Sequence, residues 1–271
     1  MAVTVFGGDG GGVLSGTSGD DLLFGQGGND VVDGGAGDDF LVGGPADDRV
    51  AGGDGADSLF GGENFDNSGS GDDTLAGGGG NDLALGGDGD DVVAGEDGDD
   101  DLNGNTGADA VDGGDGRDFV RGGQDADTVD GGGGDDWHVN GNLGDDVVRG
   151  GAGNDRVFGG QGDDRLEGGT GDDTLAGDAG ADTLRGDAGA DRFLFDHGGG
   201  VDRIDDFDPG ADVVAVIADI NGSGVASRQD VLDRAHDDGA GNVVVDLGGG
   251  DRVVLAGVAK ADLGIDDFLV V

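Results

Sequence analysis

Residues 34–60 read GGAGDDFLV, GGPADDRVA, GGDGADSLF. The three nonamers share glycine at the first and second positions, Asp at the sixth and an aliphatic residue at the eighth. The same frame returns as GGGGNDLAL from Gly77 and as GGTGDDTLA from Gly168. Working outward, nineteen nonamers occupy 16–60, 68–139 and 141–194, broken by a seven-residue insert at 61–67 and by the single residue Asn140, and residues 7–15 are a decayed copy. A fixed short period over most of a chain marks an architecture in which each repeat stacks on its neighbours.

The sixth position is Asp in every copy: Asp21, Asp30, Asp39, Asp48, Asp57, Asp73, Asp82, Asp91, Asp100, Asp109, Asp118, Asp127, Asp136, Asp146, Asp155, Asp164, Asp173, Asp182 and Asp191. Acids make up 61 of 271 residues, so composition cannot account for that phase-locking. The fourth position is Gly except at Ala46 and Asp125, and the eighth is apolar except at His138. A copy two residues out of step, 197–205, puts Asp202 and Ile204 in the sixth and eighth slots.

Against those 61 acids stand 13 Lys and Arg, for a net charge of −48, with 70 Gly and only 34% hydrophobic residues. Such a chain cannot bury enough apolar surface to offset the entropy of ordering itself in plain water. With no cysteine, disulfides and thiolate metal sites are excluded, which leaves a hard cation as the agent that folds it. Nucleic acid is a poor partner for this polyanion. The N-terminus lacks a basic and apolar leader, and no run of about 18 apolar residues exists, so neither a cleaved N-terminal signal nor membrane insertion is expected.

The GGxGxDxUx pattern resembles the haemolysin-type calcium-binding repeats of the RTX family. The resemblance implies an all-β fold, a parallel β-roll in which six residues turn, three form a short strand, and two repeats complete one turn of eighteen. Elementary chemistry agrees. Glycine lets backbone carbonyls approach a cation, and Ca²⁺ takes six to eight oxygens, here carbonyls plus sixth-position carboxylates from repeats i and i+2. The eighth residues, Leu23, Val32, Leu41, Val50 and their successors, then form a thin core. Pairing within uninterrupted blocks gives about 13 ions, and about 17 if it crosses both interruptions. The nineteen Asp and Asp202 are the candidate ligands. About nine and a half turns at ~4.8 Å make a rod on the order of 45 Å.

The expected organisation is an N-terminal cap or degenerate repeat at 1–15, a calcium-binding roll at 16–194, and a C-terminal cap at 195–271. Longer strands are expected at 213–217, 243–245 and 253–255. The stretches GVDRIDDFDPGADVVAV, VVVDLGGGDRVVLAGV and ADLGIDDFLVV resemble the capping module that follows the roll in serralysin-type proteins. The closing DDFLVV is similar to the uncleaved signal read by type I secretion machinery. Residues 219–230 fit both an EF-hand-like calcium loop and a capping box, Ser227 to Asp230, that opens a short helix at 231–235.

No zinc-protease or nucleophile-elbow motif is present, and His138, His197 and His236 lie far apart, so no enzymatic role is expected. The reading is a secreted, extracellular structural or assembly element. A polysaccharide-binding module and the non-catalytic tail of a secreted hydrolase or epimerase are the alternatives. Sorting the outward positions by alternate repeats puts Phe24, Phe40, Phe60, Leu83, Leu85, Phe119, Trp137 and Phe158 on one face, a candidate surface for self-association.

Overall fold

The computed structural model describes residues 1–62, 71–196 and 198–271. Most of the 61–67 insert, and His197, lie outside the described residues. Two compact units are resolved, Met1–Val139 and Asn140–Val271.

In the first unit alternate repeats build two parallel sheets. One stacks Thr4–Phe6, Leu22–Phe24, Phe40–Val42, Ser58–Phe60, Leu83–Asp88, Asp101–Thr106 and Phe119–Gln124; the other stacks Val13–Ser15, Val31–Ala36, Arg49–Asp54, Thr74–Gly79, Val92–Asp97, Ala110–Asp115 and Thr128–Gly133. Register advances by eighteen residues, as in Val93↔Val111, so two nonamers close one turn. Across the insert the step is 25, Val50↔Leu75, and the ladder continues without a slip of face.

Core formation follows from the period of two. Leu23, Leu41, Leu59, Val93, Leu102 and Val120 are fully buried while their neighbours face outward. Strands are longer than a three-residue strand after a six-residue turn. From Thr74 onward most run from the seventh position through the third of the next repeat, because the first residues of that repeat keep the parallel pairing although the second is left-handed, as in Glu96 (φ 76°)↔Gly114 (φ 101°) and Asp97↔Asp115.

The interruption near residue 140 is placed differently from the sequence reading. Val139, not His138, fills the inward slot and is fully buried. The extra residue falls between Asp136 and Val139 as a bulge, which sends His138 outward to stack on Phe119 at 4.6 Å and leaves Trp137 exposed. Asn140 then takes a ninth position, its Oδ1 accepting the Asn142 N–H as Asn103 does for Asn105. An imidazole is thereby kept out of the apolar core.

In the second unit one sheet runs Arg156–Gln161, Thr174–Ala179, Arg192–Phe195, Val213–Val216 and Phe268–Val270. The other runs Val147–Ala152, Arg165–Thr170, Thr183–Ala188, Val201–Ile204 and Asp251–Leu255, then turns antiparallel through Val243–Gly248 and Ala235–Asp237. His138–Leu143 spans the boundary between the units. Three strand expectations hold, and the helix forms at Arg228–Arg234. Its N-cap is Ser227, whose hydroxyl accepts the Asp230 N–H, one half of a capping box; the Asp230 carboxylate accepts from the Ser227 hydroxyl and from the N–H of Ala226, one residue before the N-cap position. Among the described residues no helix is long and apolar enough to cross a membrane.

Candidate calcium-binding turns

Each sixth-position Asp follows a turn and shortly precedes an inward apolar residue, so its side chain is drawn beneath the turn. All twenty candidate ligands, from Asp21 through Asp202, are buried, none more than 3% exposed. They form a ladder. The backbone N–H of one Asp donates to Oδ1 of the Asp one turn later: Asp21 to Asp39 (2.7 Å), Asp91 to Asp109 (2.8 Å), Asp164 to Asp182 (2.8 Å). Asp48 to Asp73 and Asp57 to Asp82, both 2.7 Å, carry it across the insert. Asp182 to Asp202 (3.1 Å) confirms the out-of-step copy as a rung.

Oδ1 is therefore spent, and Oδ2 is not. Oδ2 of Asp30, Asp39, Asp48, Asp57, Asp82, Asp91, Asp100, Asp109, Asp118, Asp164, Asp173 and Asp182 is buried without a hydrogen-bond partner. A buried, unpartnered carboxylate oxygen is costly, and a chain that repeats it twelve times is built for a cation. Carbonyls share the space. A β-carbon on Gly98 would overlap the Gly80 carbonyl oxygen of the preceding turn, and Gly98 itself sits at φ 145°. The first-position glycines have another reason: Gly113 is not left-handed, but a β-carbon there would come within 2.6 Å of Asp118 Oδ2. No group of three or more His, Cys, Asp or Glu that could hold a metal ion gathers among the described residues; the oxygens brought together at the turns are sixth-position carboxylates and backbone carbonyls. An all-oxygen set of this kind fits Ca²⁺.

The electrostatics point the same way. Burial pushes Asp91 up to about 8, against the Asp73 N–H and with the charges of Asp109 and Asp73 adding to the rise. Burial likewise raises Asp202 to about 8 and Asp48, Asp109, Asp164 and Asp173 to about 7. Asp21 is the exception: despite burial, the Val3 and Thr17 N–H groups hold it below the usual carboxylate range. The first carboxylate of the column is satisfied by protein alone.

Two buried acids escaped the sequence reading. Asp212 accepts the Asp191 N–H (3.0 Å) on Oδ1 and the Asp208 N–H (2.8 Å) on Oδ2, ending its column with no oxygen left over. Its signal was readable, since Asp212-Val213-Val214 repeats the spacing of Asp before an inward aliphatic residue. Asp267, 4% exposed, accepts from Gly210 and Gly264. In the first unit Phe24, Phe40, Phe60, Leu83, Leu85 and Phe119 share a sheet, and Phe6, Phe24, Phe40 and Phe60 form a run of ring contacts 5.1–5.9 Å apart. Phe60 is only 6% exposed. Phe158 belongs to the second unit.

A parallel roll whose turns bury repeated columns of Asp defines the class, a nonapeptide-repeat metal-binding β-roll. The family model for the RTX calcium-binding nonapeptide repeat matches residues 6–41, 33–67, 67–102, 103–137, 138–166, 158–193 and 167–204, and the chain belongs to that family, whose repeats bind multiple Ca²⁺ ions. No significant match is found among curated proteins. The extracellular lipase LipA from Serratia marcescens is similar at 19% identity and TM-score 0.42, over 94% of this chain and 40% of the lipase. The AlgE6R3 subunit of the Azotobacter vinelandii mannuronan C5-epimerase is similar at 26% identity and TM-score 0.30, over 60% of this chain and 80% of that one. The chain thus spans well under half the length of the lipase.

Proposed function

We propose that this chain is a secreted protein element that stays unfolded in the cell, folds on Ca²⁺ outside it, and then serves as a non-catalytic structural or assembly unit. The carrying observation is the set of buried, unpartnered Oδ2 atoms beneath the turns, which supports the sixth-position Asp as ligands; Asp202 joins them by its place in the ladder, and Asp21, already satisfied by Val3 and Thr17, has the least support. About 13 to 17 ions would offset a large part of the −48 charge. Extracellular calcium modules bind in about the 10⁻⁴–10⁻³ M range, far above cytosolic free Ca²⁺. Metal binding is then folding, and it happens after export.

Type I export fits this order. In the folded chain Phe268–Val270 is a strand paired with Val213–Val216, and Val271 exchanges backbone hydrogen bonds with Val216 and Ala218. The DDFLVV stretch is open to a receptor only before folding. Self-association through the apolar sheet face of the first unit is part of the same reading, carried by Phe24, Phe40 and Phe119 rather than by buried Phe60. Titration calorimetry tests the metal assignment. We expect a stoichiometry of order ten or more, reduced in Asp91→Asn, and a chain that takes up no calcium would overturn it.

A further inference from the structure

The fifth position is Asp or Asn in thirteen of the nineteen repeats, and metal binding by the sixth position leaves it unexplained. In the structure it forms a second ladder that runs the opposite way. A sixth-position carboxylate reaches back to the N–H of the preceding turn; a fifth-position oxygen reaches forward to the fifth-position N–H of the next. Asp20 Oδ1 accepts from Asp38 (3.2 Å), Asp47 from Asp72 (3.3 Å), Asp72 from Asp90 (3.1 Å), Asp90 from Ala108 (2.9 Å), and Asp163 from Ala181 (2.9 Å). Ala56, Ala108 and Arg117 receive such a bond and cannot pass one on, so each run stops there.

Charge is not what this column uses. Asn81 Oδ1 accepts the Asp99 N–H (3.1 Å) and Asn154 Oδ1 the Asp172 N–H (2.8 Å) in the same geometry as the Asp residues. A carboxamide oxygen serves as well as a carboxylate. The side chains are exposed, unlike the neighbouring sixth-position acids, and the oxygen that faces the next turn already has a donor.

We infer that the fifth-position Asp and Asn are positioning residues: they fix the spacing of successive turns so that sixth-position Oδ2 atoms and stacked carbonyls meet around an ion, and they bind no calcium themselves. This rests on the proposed metal role of the sixth position. Two turns pinned from both directions hold their donors at one separation, which rigid coordination requires and flexible glycine turns do not supply.

The test uses the full chain. Asp47, Asp72 and Asp90 are replaced together, once by Asn and once by Ala, and compared with wild type and with Asp91→Asn. Bound ions are counted by equilibrium dialysis, and the calcium-saturated proteins are melted. The Asn triple variant should bind the wild-type number of ions and melt no lower. The Ala triple variant should keep the ion count but melt lower by about 5 °C, the loss of three hydrogen bonds. Loss of ions in the Asn variant, or an Ala variant that melts with wild type, would overturn the inference. If Asp91→Asn binds as many ions as wild type, it is the metal assignment that fails, whatever the fifth-position variants do.

Discussion

At the scale of single residues the repeat is a solution to one steric and one electrostatic problem. The steric one is visible at Gly86, where a β-carbon would overlap Asp91 Oδ2. Gly86→Ala should therefore displace a ligand and raise the calcium concentration needed for folding, read as the midpoint of a circular dichroism titration. Ala46 shows the converse, because it replaces a fourth-position glycine yet sits at φ 93°. Ala46→Gly should relieve that strain and stabilise the calcium-bound chain by about 1 kcal/mol, seen as a higher melting temperature. The electrostatic problem yields a pH prediction. Folding raises the ladder carboxylates from 3.8 to about 6 at Asp57, 7 at Asp48 and 8 at Asp91, so protonation favours the folded chain. In metal-free solution that advantage is complete below about pH 4 and is lost as pH rises through 6 to 8. Spectra taken in EGTA should show β structure gained on acidification, while calcium affinity, which needs the deprotonated ligands, falls over the same range.

At the scale of elements, one parallel ladder ends on the strand Phe268–Val270. Phe268 is fully buried on a strand that pairs with Val213–Val216, which in turn pairs with Arg192–Phe195. Phe268→Ala should cost about 3–5 kcal/mol of calcium-bound stability in denaturant titrations. Removing 195–271 should leave the remaining repeats poorly responsive to calcium, because two strand edges and the terminal core layer are opened together. The strand positions of this region were legible from its apolar runs, and the roll itself from the Asp and aliphatic period. What the sequence did not reveal has local physical causes. The bulge at Trp137–His138 keeps an imidazole out of the core, a preference that a strict count of nine does not contain. Asp212 lies outside any glycine-rich nonamer, and the fifth-position ladder depends on which direction a side chain reaches, a property of the stacked turns and not of the period.

At the scale of the whole molecule, the composition is that of a chain unable to fold alone, with −48 net charge and 34% hydrophobic residues, and the structure nonetheless buries a carboxylate in every nonamer. The proposed calcium-driven folding would reconcile those two facts. The apolar sheet face of the first unit leads to one further expectation: with calcium the chain should sediment as a dimer or larger species, and Phe119→Glu should return it to a folded monomer. A wild type that stays monomeric at high concentration would remove self-association from the account and leave calcium folding untouched. The central claim is tested most directly by far-ultraviolet circular dichroism combined with sedimentation velocity at neutral pH, in excess EGTA and then in millimolar Ca²⁺. The account predicts an expanded coil that becomes a compact β protein when calcium is added. A compact, fully β-structured chain in EGTA would contradict it.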